Sequence, residues 1–224
     1  MSPQLTRHRC LLLGISGPSS SGKTTLARLL RDIFPTAFVL HEDDFYKTDA
    51  EIPLNTSAGN VQDWDCLESL DVPAFENALK YIRTHGVPPP NLLSKEDQNS
   101  VGPVDIDDGV VASLKRHASQ WTAQDVAPIA VVDGFLLYSE SMKAVRDLFD
   151  VKLFLRADYA TAKKRRAARS GYVTLKGFWE DPPEYVNRVV WPNFIKEHAF
   201  LFEDGDVEGN FKEELLAELR IRTM

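Results

Sequence analysis

Gly17-Pro18-Ser19-Ser20-Ser21-Gly22-Lys23-Thr24 fills the pattern G-x-x-x-x-G-K-[ST] at every position, and its neighbours place it where that pattern has a mechanism. Before it, Arg9–Ser16 reads as a continuous apolar strand of the kind buried on both faces of a parallel sheet. After it, Thr24–Phe34 carries helical spacing through Leu26, Leu29, Leu30 and Ile33, and Pro35 stops the helix. A strand, a glycine-rich turn and a helix in that order curl successive backbone N–H groups inward, where they meet phosphate oxygens. The helix adds its positive N-terminal end. On this reading Gly17, Ser19, Ser20, Ser21 and Gly22 cradle a nucleoside triphosphate, Lys23 reaches its β- and γ-phosphates, and the Thr24 hydroxyl ligates Mg²⁺. A Ser/Gly turn that matches by chance is the bland alternative, and the flanking strand and helix weigh against it.

Working outward, the rest of the chain keeps alternating. Ala37–His41 is a second short strand that runs into Glu42-Asp43-Asp44. Lys47–Asp65 has no sustained period and reads as a functional loop, and Leu70–His85 returns to helical spacing. Gly86 to about Gly109, with Pro88-Pro89-Pro90, is an irregular insertion. Pro128–Asp133 and Val151–Arg156 are further strands; Tyr159–Arg169, Glu184–His198 and Lys212–Arg222 are helices. Such alternation predicts an α/β fold: a central parallel sheet flanked by helices, in one domain spanning residues 1–224.

Composition narrows the function classes. The chain has 224 residues, 43% hydrophobic and 26% charged, which excludes a largely disordered or coiled-coil protein. Its 26 Lys and Arg against 33 Asp and Glu leave a formal charge of −7, a poor match for general nucleic-acid binding. Cys10 and Cys66 are far apart with no metal-ligand spacing around them, so neither a disulfide framework nor a structural zinc site is expected. No apolar run approaches the roughly 18 residues of a membrane span. The expectation is a cytoplasmic protein that touches neither membrane nor nucleic acid.

Other residues suggest the rest of a site. Asp133 ends an apolar strand, where a carboxylate can hold Mg²⁺ opposite Thr24; a plain turn with Gly134 is the alternative. Glu42-Asp43-Asp44 lies just past the second strand, at the sheet edge where open α/β folds bind ligands, and a carboxylate of this run could act as a general base; a solvated acidic turn is the alternative. Lys163-Lys164-Arg165-Arg166 with Arg169 forms a basic cluster that can neutralise a transferring phosphoryl group as a lid does, or merely complement a helix C-terminus.

Taken together these segments resemble the nicotinamide riboside kinases, the fungal ones especially, within the uridine-kinase-like group of P-loop kinases. The resemblance rests on Gly14–Thr25, His41–Lys47, Trp64-Asp65 with Leu67-Glu68, Val131–Phe135, Lys163–Arg169 with Gly171-Tyr172, Phe178–Pro183 and Asp204–Gly209. It implies a kinase domain with a lid at about 163–180. The implied reaction moves the γ-phosphoryl group of ATP, with Mg²⁺, to the ribose 5′-hydroxyl of nicotinamide riboside, and of nicotinic acid riboside too, feeding NAD synthesis. It also implies roles: Asp43 as the base beside Lys23, Asp65 on the ribose hydroxyls with Arg166 next to it, and Trp64 and Tyr172 stacked on the nicotinamide ring. Thr25 joins the triphosphate site, Asp133 the magnesium site with Thr24, and Arg165 and Arg169 the lid contacts to ATP. The expected partner is a small nucleoside, and the chain a monomer or weak homo-oligomer. A uridine or cytidine kinase of the same group, and a nucleotide-gated switch, stay open as rivals. The switch lacks its usual N-K-x-D segment, since no Asn here is followed by Lys.

Overall fold

A computed structural model describes residues 10–94, 98–99, 106–120, 127–169, 171–174 and 177–224. The apolar run before the glycine turn becomes β1 (Leu11–Ser16), and the amphipathic stretch after it becomes α1 (Lys23–Ile33). Arg9, the expected start of that strand, lies outside the described residues. The chain continues through β2 (Ala37–His41), a short hairpin of β3 (Leu54–Asn55) and β4 (Val61–Gln62), and α2 (Val72–His85). Asp71 caps α2 by accepting from the Ala74 N–H at 3.0 Å, and Gly86 ends it in the left-handed region at φ 75°. Next come α3 (Asp108–Ala118), β5 (Ile129–Asp133), α4 (Lys143–Arg146), β6 (Val151–Phe154) and α5 (Tyr159–Ala167). A second hairpin, β7 (Tyr172–Val173) and β8 (Phe178–Trp179), precedes α6 (Trp191–His198), α7 (Glu213–Leu219) and β9 (Ile221–Thr223).

Five of these strands form one sheet in the order β2-β5-β1-β6-β9, and every pairing in it is parallel. Alternate residues of a strand face opposite sides. Leu12, Leu40, Ala130, Val132, Phe154 and Ile221 belong to the larger core, which also takes in Phe75, Leu79 and Ile82 of α2 and Phe194 of α6. Ile15, Val131 and Leu155 form a smaller core with Ala27 of α1 on the other face. The expected α/β class with its central parallel sheet is therefore observed.

Three local expectations are corrected. No element is expected between about Gly109 and Pro128, yet the chain turns helical at Asp108, where the Asp107 side chain accepts from the Gly109 and Val110 N–H groups, and forms α3. The helix expected over Lys212–Arg222 stops at Leu219: Arg220 takes a left-handed φ of 55°, and Ile221–Thr223 pairs with β6 as the fifth strand. The loop expected over Lys47–Asp65 contains the β3–β4 hairpin. Among the described residues no helix is long and apolar enough to cross a membrane.

The centre of the sheet is fitted around one side chain. Tyr138 is fully buried; its hydroxyl donates to the Gly14 carbonyl of β1 at 2.5 Å and accepts from the Leu153 N–H of β6 at 3.1 Å. A Cβ at position 14 would sit 2.6 Å from that oxygen, so glycine is required there for close approach. Removing the hydroxyl takes one hydrogen-bond partner from each of two buried backbone groups. Tyr138→Phe is therefore expected to lower stability by about 1–3 kcal/mol in urea titrations while the fold is retained.

Candidate active site

The parallel register decides what meets at the carboxyl end of the sheet. Asp133 is aligned with Ile15 of β1 and with His41 of β2. The glycine loop therefore leaves β1 beside the carboxylate that ends β5, while the acidic turn Glu42–Phe45 leaves β2 on its other side. Gly17 has φ 139°, and a Cβ there would lie 2.3 Å from the Leu155 carbonyl oxygen, so the loop's first step admits only glycine. Gly22 enters α1 with φ 102°, and no acidic residue occupies that helix's first turn to offset its positive end.

Lys23 is buried, and its Nζ donates to the Pro18 carbonyl at 2.9 Å. Burial pushes its pKa below the ordinary lysine value, against the pull of Asp133 and Asp43. Asp133 is also buried. Burial alone would raise it, but the hydrogen bond from His41, the charge of Lys23 and the hydrogen bond from Thr24 together hold it below the usual carboxylate value. The His41 Nδ1 to Asp133 Oδ2 distance is 3.3 Å. Thr24 and Asp133 thus meet, as the sequence suggested. An ionised carboxylate beside a hydroxyl is a hard oxygen pair that fits Mg²⁺, which is commonly held by one or two protein oxygens with substrate phosphates completing the shell. No group of three or more His, Cys, Asp or Glu that could hold a metal ion occurs among the described residues.

The opposite wall is aromatic and ionic. Trp64, Asp65, Arg166, Arg169 and Tyr172 line the same pocket as Ser19, Ser20, Gly22–Thr25, Asp43 and Asp133. Arg166 leaves α5 inward and binds Asp65 through two bonds of 2.9 and 3.1 Å, while its Nη1 also donates to Ser19 Oγ at 2.8 Å. Burial raises the Asp65 pKa, with the Arg166 charge opposing it. The basic cluster divides rather than acting as one patch. Arg165 donates to the Ser20 carbonyl at 3.4 Å, and Arg169 donates to the Tyr172 hydroxyl at 2.8 Å. Gly17 and Ser21 do not line the pocket surface, and Arg165 reaches the glycine loop from outside it.

Sequence reading missed several residues here. Tyr46, Phe135 and Trp179 line the pocket; Trp64 packs edge-on to Tyr46 at 5.3 Å between ring centres and tilted against Trp179 at 5.7 Å. Tyr172 pairs with Trp179 across the β7–β8 hairpin. The signal for Trp179 was its place in Phe178–Pro183, to which no chemistry had been attached. Glu42 was missed as well. It is fully buried, and its Oε2 accepts from the Phe135 and Leu136 N–H groups at 2.7 and 3.1 Å, tying the end of β2 to the turn after β5.

No model of a known protein family matches the chain. Curated relatives do. A nicotinamide riboside kinase of Schizosaccharomyces pombe is 43% identical over 90% of this chain and 84% of its own length. Those of Eremothecium gossypii and Saccharomyces cerevisiae are 41% and 38% identical, over 88% and 92% of this chain and 80% and 84% of theirs. Among solved structures, a possible uridine kinase from Bacillus stearothermophilus aligns with a TM-score of 0.40 at 17% identity, covering 71% of this chain and 82% of its own.

Glu42 yields a pH test. Burial pushes its carboxyl up to about 7, with the Phe135 and Leu136 N–H groups opposing. Between the ordinary carboxylate range and that value the folded chain holds a proton that the unfolded chain has released. This contribution to stability therefore falls as pH rises through the window and levels off above it. Glu42→Gln keeps an acceptor oxygen and cannot titrate. Its melting temperature should gain on the parent's as pH is raised from about 4.5 to 7; a constant difference across that range would show that Glu42 enters the fold ionised.

Proposed function

The chain belongs to the nicotinamide riboside kinase family, and we propose that it transfers the γ-phosphoryl group of ATP to the ribose 5′-hydroxyl of nicotinamide riboside, and to that of nicotinic acid riboside. One observation supports the reading most: Lys23 and Thr24, the carboxylates Asp43 and Asp133, and the set Trp64, Asp65 and Tyr172 all line a single pocket. Donor and acceptor can therefore be held in one pocket that also contains carboxylates.

In this mechanism the loop N–H groups from Gly17 to Thr25 hold the triphosphate and Lys23 leaves the Pro18 carbonyl for a phosphate oxygen. Asp43 accepts the proton of the 5′-hydroxyl as its oxygen bonds to the γ-phosphorus and the bond to the ADP oxygen breaks. Thr24 and Asp133 would hold Mg²⁺, which when bound neutralises phosphate charge. Arg165 and Arg169 add positive charge on the lid side, and positioning plus this neutralisation carries most of the acceleration. Asp65, gripped by Arg166, accepts from the ribose hydroxyls.

The base is selected by its charge. Nicotinamide riboside carries a fixed positive charge on its ring, and an aromatic face attracts such a ring by about 0.5–2 kcal/mol depending on desolvation. The Tyr172 ring already has the Arg166 and Arg169 guanidinium carbons 5.3 Å from its centre. The attraction is therefore assigned to Trp64 first, with Tyr172 contributing stacking area.

The test is a panel of nicotinamide riboside, nicotinic acid riboside, uridine and cytidine with ATP, reading product mass. A gain of one phosphoryl group on the pyridine ribosides is expected; a gain confined to uridine or cytidine would replace the substrate assignment. Asp43→Asn keeps the size and loses the proton acceptor, so kcat is expected to fall by about 100-fold or more. A rise in KM alone would make Asp43 a binding residue.

A further inference from the structure

Asp181 sits outside the roles assigned so far, yet both Arg166 and Trp179 of the acceptor wall donate to it. Its Oδ2 accepts from Arg166 Nε at 2.6 Å and its Oδ1 from Arg166 Nη2 at 3.1 Å. The same Oδ1 accepts from Trp179 Nε1 at 3.0 Å. Arg166 is thus clamped between two carboxylates, with Asp181 on one edge and Asp65 on the other. Trp179 in turn lies against Trp64 and against Tyr185 at 5.6 Å.

Resting on the kinase reading above, we propose that Asp181 is the positioning residue that shapes the riboside half of the pocket, setting both the direction of Arg166 and the seat of Trp179. Two physical consequences lead there. A guanidinium donates in a fixed planar fork, so engaging its Nε edge with Asp181 leaves only the Nη atoms to reach Asp65 and Ser19. The Asp65 carboxylate is then held square to the pocket instead of turning with a free arginine. The second consequence concerns charge. One guanidinium between two carboxylates is a group of net charge −1, and Arg169 bound to Tyr172 lies to one side of it, so the charge nearest Asp65 and Trp64 suits a nucleoside that carries a fixed positive charge better than a neutral one. The indole held by Asp181 backs Trp64, so the aromatic surface for that cation is braced by the same oxygen atom.

Arg166 reaches the glycine loop at Ser19 through Nη1, the arm it shares with Asp65, while Asp181 holds the Nε and Nη2 edge; and the reacting hydroxyl is assigned to Asp43. The effect of losing Asp181 belongs to acceptor binding. Asp181→Asn keeps the shape, removes the charge and turns a donor toward Arg166 or Trp179. The full-length variant and parent are compared in steady-state assays with nicotinamide riboside and with ATP, and thermal unfolding serves as a folding control. The expected result is a rise of about tenfold or more in KM for the riboside, with kcat and KM for ATP within about twofold of the parent. Trp179→Phe keeps an aromatic ring but loses the N–H together with part of the indole face, and should raise the same KM by about threefold or more. A riboside KM that does not move in a folded Asp181→Asn variant overturns the proposal. So do equal rises for riboside and ATP, which would make Asp181 a general brace of the lid, and a fall confined to kcat. Should Asp181→Asn fail to fold, Trp179→Phe decides in the same terms, its riboside KM rising or not. A parent that does not phosphorylate the riboside overturns the kinase reading and this inference with it, whereas an active parent with an unmoved variant overturns this inference alone.

Discussion

The parallel pairing that sets Asp133 level with Ile15 and His41 is the constraint on which the site depends. Three strand ends reach the same edge of the sheet, and each releases a different chemical element: a glycine loop from β1, an acidic turn from β2 and a carboxylate from β5. A slip of one residue in any of these pairings would turn the side chains of that strand to the opposite face. The close fit of Tyr138 under Gly14, with its hydroxyl spanning β1 and β6, and the Glu42 carboxylate across the β2 and β5 exits hold that alignment from below and from the side.

The pocket contains two buried cations with opposite tasks. Lys23 stands among carboxylates and next to a helix N-terminus, an arrangement that fits incoming phosphate charge. Arg166 is saturated by Asp65 and Asp181, so its charge serves to orient them. A buried ion pair of this kind adds little net stability over apolar packing, but breaking one side of it leaves an uncompensated charge. Its value is in fixing geometry where a ribose would be held.

Much of this was legible in the chain. The strand, glycine loop and helix around Gly17–Thr24 were readable because their signals are local: an apolar run, glycines where the backbone must curl, and a 3.6-residue period. Asp133 and the acidic run at Glu42–Asp44 stood out for the same reason, each sitting at the end of a recognisable strand, whereas the choice of Asp43 within the run rests on the resemblance. The helix at Asp108 was hidden by a proline-rich approach, and β9 by Lys212–Leu219, whose helical spacing ran on into Ile221–Thr223. Glu42 and Trp179 were invisible as functional residues because what they do depends on partners far along the chain, and Asp181, whose own partners Arg166 and Trp179 are close in sequence, because Asp65 on the other edge of Arg166 is not. Glu42 meets Phe135 and Leu136, and Asp181 shares Arg166 with Asp65. No spacing rule connects positions more than ninety residues apart.

The hydrogen bond from Lys23 to the Pro18 carbonyl has a consequence for how quickly and how tightly a nucleotide is taken up. Most ammonium groups must shed water before they can grip an anion, and that dehydration is charged against binding. Here it has already been completed during folding, and the amine waits on an oxygen of its own loop. Arrival of a triphosphate then becomes an exchange of one oxygen for another, within a loop whose glycines already hold their curled shape. On the proposed reading the penalty falls on the single event of folding instead of on every catalytic cycle.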